Sequence, residues 1–117
     1  MPQYMLILHD DMKALAGFSP DEMQKVIARY KAWSTKVAQG GNMVGGEKLR
    51  DEGGKHLTSK GGKLVVRDGP FAEAKEVVGG YFTISAGSYD AATRICEDCP
   101  HLSLGGRIEL REIEPTR

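Results

Sequence analysis

Apolar residues recur at two different spacings along the chain, and these spacings predict a strand followed by a long helix. An uninterrupted apolar run over 4–8 has the length of a central strand buried on both faces. A capping box at Ser19 and Glu22, with Pro20 in the first helical position, predicts a helix over 21–39 that ends at Gly40. Its apolar stripe, with spacings of three and four, is Met23, Val26, Ile27, Tyr30, Trp33 and Val37.

The remaining pattern predicts five further strands and a second helix. Strands are expected over 43–49, over 55–59 and 63–67 around the turn Gly61-Gly62, over 81–86 and over 106–114. One short helical turn fits 72–77, and a helix over 88–99 is expected to end at Pro100. The order β, α, β, hairpin, β, α, β predicts one α+β domain spanning 1–117. Its simplest closure is a ferredoxin-like split βαβ antiparallel sheet with two helices on one face.

One face of the predicted sheet has no helix to cover it. Alternation places polar and charged residues on that face: Tyr81, Thr83, Ser85, Arg107, Glu109 and Arg111. We therefore expect a homodimer in which a second copy covers this face. The 16 basic and 16 acidic residues balance, so the chain lacks the basic excess of a protein that binds nucleic acid directly.

The composition also bears on location. No apolar stretch approaches the length that spans a bilayer, and the first residues lack the basic flank of a signal peptide. The chain is expected to be soluble and cytoplasmic, without a membrane partner. Its two cysteines, Cys96 and Cys99, are then expected to be reduced.

The segment from Asp68 to Glu76, with Gly79-Gly80 close behind it, resembles the signature of the YCII-related, or DGPF-domain, family. The first strand, the loop around Gly45-Gly46 and the final strand agree with this resemblance, which covers nearly the whole chain. It implies a dimeric α/β-barrel, in which two sheets enclose a cavity. It implies no single activity, since relatives are linked both to small-molecule enzymology and to sigma factors in transcription initiation.

The chain departs from this family in one respect. Shorter members share a histidine on the first helix and an aspartate just before a proline near the end of the second, and are linked to acid–base chemistry. Here the helix over 21–39 contains no histidine, and the residue before Pro100 is Cys99. That pair of residues cannot be transferred to this chain as it stands.

Asp68 and His101 are the candidate catalytic residues. Asp68 is equally suited to capping its own turn, and a loop histidine such as His101 is often merely exposed. The candidate ligand-pocket residues are Phe71, Glu73, Lys75, Tyr81, Arg111 and Trp33. Lys75 and Arg111 favour a small anionic ligand. Trp33 also fits an ordinary core position, and Phe71 an anchor for its loop.

Two clusters have residue types that bind metals. His9 with Asp10 and Asp11 could form a base or a metal site, but the spacing is too local for a full ligand set. Cys96, Cys99 and His101 lack an obvious fourth zinc ligand, so buried thiols are favoured. No metal is expected, and the absence of a P-loop or Rossmann motif predicts no cofactor.

Two functions therefore remain open. The first is a dimeric cytosolic small-molecule-binding protein, acting as a cofactor-independent acid–base enzyme with a polar pocket in the intersubunit cavity. The second is an interaction or accessory module that acts with a sigma-factor-type transcriptional regulator. An arginine that points unpaired into a hollow would favour the first, whereas arginines paired within their own sheet would make the cavity structural.

Overall fold

The computed structural model describes residues 1–11, 13, 17–69 and 75–116. Within these residues, six strands and three helices follow one another. In order they are β1 (Gln3–Asp11), α1 (Pro20–Gln39), β2 (Met43–Lys48), β3 (Lys55–Lys60), β4 (Lys63–Asp68), β5 (Glu76–Ser85), α2 (Tyr89–Cys96), α3 (Pro100–Ser103) and β6 (Arg107–Glu112).

Four of the strands form one antiparallel sheet in the order β2-β5-β1-β6. The first and third of these strands in the chain lie at the centre, which is the ferredoxin-like arrangement that the element order predicts. The other two strands, β3 and β4, pair only with each other as a hairpin. Its turn uses positive φ angles at Gly61 and Gly62, of 58° and 78°, as predicted. The predicted α+β fold class is confirmed.

In the single chain, the central strand β1 is buried on one face only. Burial on both faces stays a prediction, because a second copy would have to cover the other face. Tyr4, Leu6 and Leu8 are buried beneath the helices, whereas Met5 and Ile7 between them are only half-buried. The alternation shows that the helices cover a single side of the sheet. We call the other side, which carries Met5 and Ile7, the open face.

The long helix α1 begins as predicted. The Ser19 hydroxyl accepts a hydrogen bond from the Glu22 backbone N–H at 3.2 Å, and the Glu22 carboxylate accepts one from the Ser19 N–H at 3.3 Å. Towards its C-terminal half the apolar stripe enters the core through Trp33 and Val37. Towards its N-terminal half the same stripe is less covered, and Ile27 is 40% exposed. The helix therefore separates from the sheet at one end.

Two predicted elements end elsewhere than expected. The second helix stops at Cys96 rather than 99, and Pro100 begins the short helix α3 instead of only ending α2. Proline fits this position because the first helical residues need no N–H partner. The helical turn predicted over 72–77 is wrong for Glu76 and Val77, which lie in β5. Residues 72–74 lie outside the described residues. No helix in the described residues is long and apolar enough to cross a membrane.

Candidate functional site

A cavity of about 230 Å³ lies where α1 separates from the sheet. Its floor is formed by β1 and β5, its roof by α1, and one end by the turn between α3 and β6. Most of the surface is apolar and comes from Leu8, Phe18, Met23, Val26, Ile27, Phe82 and Leu104. Five charged side chains also line it: Asp11, Lys31, Glu47, Lys48 and Asp51. Three more polar side chains, Asp10, Tyr30 and His101, lie close together at one end. We call these three the polar cluster.

His101 is the centre of the polar cluster. It lies in α3 and is only 2% exposed, so the expectation of an exposed loop histidine is wrong. Both ring nitrogens have partners: Nε2 lies 2.8 Å from the carbonyl oxygen of His9, and Nδ1 lies 2.7 Å from the hydroxyl of Tyr30. The imidazole is therefore held between the central strand and the long helix.

These two contacts define the tautomer of the neutral ring. A backbone carbonyl can only accept, so Nε2 must carry the hydrogen and donate it to His9. In the neutral imidazole Nδ1 is then the acceptor, and the Tyr30 hydroxyl donates its proton to it. Tyr30 thereby keeps its oxygen lone pairs available on the side away from His101.

Asp10 brings a carboxylate to the same cavity. Its Oδ1 lies 3.8 Å from Nδ1 of His101, and its side chain is 23% exposed. Burial raises the pKa of Asp10 above its ordinary value, while the nearby His101 opposes the shift. Burial, and next the Asp10 carboxylate, raise the pKa of the Tyr30 phenol well above its usual range. The tyrosine is thus a stable proton donor to His101 at neutral pH.

Two glycines make room for the polar cluster. A methyl group on Gly106 would come within 2.6 Å of Cδ2 and Cε1 of His101, closer than real side chains approach. A methyl group on Gly79 would overlap the carboxylate of Asp10. These positions belong to glycine pairs in the sequence, and here the absence of a side chain is a packing requirement.

The open face holds two of the predicted pocket residues, Tyr81 and Arg111. Charges on this face are paired within the sheet: Arg107 Nη2 lies 2.9 Å from Oε1 of Glu76, and Arg111 Nη1 lies 3.9 Å from Oε2 of Glu109. Glu109 also contacts His9, with Oε1 at 3.0 Å from Nε2. Because these arginines have carboxylate partners of their own, the arrangement favours a structural role for the open face over an anion site.

The remaining predicted site residues lie apart from the cavity. Asp68 is at the end of β4, exposed and paired with Lys55 across the hairpin. Lys75 is exposed, while Phe71 and Glu73 lie outside the described residues. Trp33 is a core residue, with its indole N–H bonded to Asp98 at 3.2 Å. Of the six predicted site residues that the structure describes, His101 is the one that lines the cavity between α1 and the sheet.

The two cysteines are buried free thiols. Burial raises the pKa of Cys96 to about 12 and also raises the pKa of Cys99. Both groups are therefore protonated and poor nucleophiles at neutral pH. Among the described residues, no group of three or more His, Cys, Asp or Glu side chains is placed to hold a metal ion.

The sequence did not connect Tyr30 and Asp10 with His101. Its pattern predicts Tyr30 as part of the apolar stripe, although a tyrosine on such a stripe carries a hydroxyl that needs a partner when buried. It places Asp10 in a candidate base or metal site with His9 and Asp11. The available signal was the Tyr30 hydroxyl, a polar atom at a position predicted to face the core.

Comparison with known proteins agrees with the fold and leaves the activity open. The profile of the YCII-related domain matches residues 2–117. An uncharacterized protein of Rhizobium meliloti (strain 1021) is 27% identical over 112 residues, covering 94% of this chain and 90% of that protein. With almost its whole length matched, the chain belongs to the family of proteins with a YCII-related domain.

Proposed function

We propose that this protein binds a small molecule in the cavity beneath α1 and performs acid–base chemistry on it in the cytoplasm, without a cofactor. The observation that supports this function is the polar cluster itself. A tyrosine, a histidine and a carboxylate from three separate elements converge on the end of a largely apolar cavity. This combination of an apolar pocket with a few convergent polar groups is typical of ligand sites.

The cluster is suited to proton transfer. Asp10 reaches the cavity as a carboxylate and can accept a proton from a bound ligand, because burial raises its pKa towards neutrality. Tyr30 and His101 form a hydrogen-bonded pair beside it, so a charge that develops on the ligand has an oriented hydroxyl and imidazole within the same pocket. In this proposal Asp10 is the base, Tyr30 contacts the ligand, and His101 positions Tyr30.

This location differs from the intersubunit pocket that the sequence favours. The cavity is formed within one chain, between α1 and the helix-covered face of the sheet. A ligand there would not need the arginines of the open face. The proposal therefore replaces Asp68 with Asp10 as the reacting carboxylate and retains His101.

Filling the cavity mouth tests the proposal. Ile27 lines the cavity and is 40% exposed, so Ile27→Trp should occupy the mouth without disturbing the core. Ala28→Trp, at the next and exposed position of α1, is the matched control. In a thermal-shift screen of small molecules, compounds that stabilise the wild type and Ala28→Trp should fail to stabilise Ile27→Trp. Equal stabilisation of both variants would place the ligand site elsewhere.

The pH dependence of stability gives a second prediction. A carboxyl whose pKa is raised in the folded state binds more protons there than in the unfolded chain, so folding stability falls as the pH rises past its ordinary value of 3.8. Asp10→Asn removes this loss. We expect the variant to unfold at a higher denaturant concentration than the wild type at about pH 7. At about pH 3, below the ordinary pKa of an aspartate, the carboxyl is protonated in the folded and in the unfolded chain, and we expect no difference. If Asp10→Asn were less stable than the wild type at pH 7, this would contradict the conclusion that the ionised Asp10 carboxylate destabilises the folded protein.

We further propose that the protein is a homodimer that pairs through the open face. Ile7 at its centre is only half-buried in one chain, and the helices cover the opposite side. Light scattering at micromolar concentration should give twice the 12.8 kDa mass of the chain. Ile7→Glu should reduce the mass to that of a monomer, whereas Thr35→Glu on the exposed side of α1 should not. A monomeric wild type would contradict this assembly.

A second candidate function is an accessory module for a sigma-factor-type transcriptional regulator. It is favoured by the hairpin, whose one face exposes Leu57, Leu64 and Val66 by 60%, 66% and 52%. Such a patch is a common protein-docking feature. A purified regulator of this type should bind the wild type and Ile27→Trp but not Leu57→Lys. Absence of binding to the wild type would remove this candidate.

A further inference from the structure

The polar end of the cavity presents hydrogen-bond acceptors and no free donor among the described groups of the polar cluster. The Nε2 hydrogen of His101 is used by the His9 carbonyl at 2.8 Å. The Tyr30 proton is used by Nδ1 of His101 at 2.7 Å. What remains towards the cavity is the phenol oxygen of Tyr30 and the carboxylate oxygens of Asp10, all of which accept.

The charged side chains of the lining are mostly acidic. Asp10, Asp11, Glu47 and Asp51 line the cavity together with the two lysines Lys31 and Lys48. Lys48 already has partners, since its Nζ lies 3.0 Å from Oδ1 of Asp51 and it donates to the Leu49 carbonyl at 2.8 Å. An anionic ligand would therefore meet more carboxylates than ammonium groups. In an apolar cavity such a like-charge encounter is poorly screened.

The walls limit the size and the polarity of the ligand. The cavity volume of about 230 Å³ lies below the range of roughly 300–1,000 Å³ that is usual for drug-sized ligands. Away from the polar cluster, the lining is mostly apolar, with aliphatic and aromatic side chains and the backbone at Gly79, Gly80, Gly105 and Gly106. Its charged members are Asp11, Lys31, Glu47, Lys48 and Asp51. A ligand that fits is small, and most of its surface is apolar.

We infer that the ligand is a small, largely apolar molecule whose one polar group is a hydrogen-bond donor, a hydroxyl or an amine, bound by Tyr30 and Asp10. This inference rests on the proposed function, because it assumes that the cavity is the ligand site. A donor satisfies the buried acceptors, whereas a ketone or a carboxylate leaves them unpaired and forfeits a hydrogen bond in a desolvated site. The anionic ligand expected from the sequence is thereby replaced by one with a donor.

Four probes that share one six-membered ring test this inference: cyclohexanol, cyclohexylamine, cyclohexanone and cyclohexanecarboxylate. Their affinities follow from titrations of the backbone amide signals of Gly105 and Gly106, which line the cavity. Cyclohexanol, cyclohexylamine or both should bind at least about tenfold more tightly than cyclohexanone, which is the difference expected for one unpaired buried acceptor. The carboxylate should bind most weakly. A ketone or carboxylate that binds as tightly as the alcohol would overturn the donor assignment.

Asp10→Asn provides an internal check, because its amide adds a donor where the wild type has only acceptors. In this variant the ratio of the affinity for cyclohexanol to that for cyclohexanone should be smaller than in the wild type. Glu114→Gln, which removes an exposed carboxylate after β6, should leave this ratio unchanged. An unchanged preference in Asp10→Asn would overturn the assigned role of Asp10. If none of the four probes shifts the cavity amides, the proposed site itself fails, which is distinguishable from failure of the donor assignment alone.

Discussion

Gly106→Ala is expected to lower the free energy of unfolding by about 2 kcal/mol, because the new methyl group would collide with the imidazole of His101. The ring is 2% exposed, and moving away from the new methyl group would break its hydrogen bond to the His9 carbonyl. The backbone of Gly106 is outside the positive-φ region, so alanine is not strained there by itself. The loss of stability should therefore come from displacement of the His101 ring, and denaturant unfolding measures the change in the free energy of unfolding.

Two controls separate this collision from a general effect of alanine. Gly87→Ala adds a methyl group where no atom lies within 4 Å and should change stability by less than about 0.5 kcal/mol. In a His101→Ala background, the cost of Gly106→Ala should fall sharply, since the colliding ring is gone. A cost that stays the same in that background would show that Gly106 does not act through His101.

Leu6→Ala should have the largest effect on stability, a loss of about 3 kcal/mol or more. Leu6 is fully buried at the centre of the sheet, where β1 pairs with β5 on one side and β6 on the other. Removing its side chain leaves a cavity that neighbouring strands cannot close. Leu64→Ala in the hairpin is the matched control, because Leu64 is 66% exposed, and it should cost less than about 0.5 kcal/mol. Similar losses at the two positions would contradict the assignment of the core.

The sheet and the long helix were predictable because their signals are local. The capping box at Ser19, the apolar stripe of α1 and the turn at Gly61-Gly62 each encode their structure within a few residues. The order of elements then allowed one simple closure. The apolar run of β1 did not reveal which of its residues the helices cover, because a continuous apolar segment has no alternation to distinguish its two faces.

The candidate site was only partly predictable, because its members meet through tertiary packing. Tyr30 and His101 are separated by 71 positions in the sequence, and no local pattern connects them. The helix break between Cys96 and Pro100 buries His101 in a short helix that periodicity merged with α2. Periodicity indicates which residues face the core, but it does not indicate where the core leaves a cavity.

The chain's departure from its shorter relatives has a structural counterpart. Those relatives resemble one another in a histidine on the first helix and an aspartate before a proline. Here the first helix supplies Tyr30, and the residue after Pro100 is His101. The same two segments thus contribute polar groups to one hydrogen bond, while the carboxylate comes from Asp10 on β1. This supports the proposal that acid–base chemistry is possible without the relatives' pair.

The central claim, that small molecules bind beneath α1 and not on the open face, is tested most directly by nuclear Overhauser effects from bound cyclohexanol to protein methyl groups. The chain offers matched reporters: Met23 and Ile27 line the cavity, whereas Met5 and Ile7 lie on the open face. We expect contacts to Met23 and Ile27 in the wild type, and loss of the contacts to Met23 in Ile27→Trp. Contacts to Met5 and Ile7, with none to Met23, would contradict it.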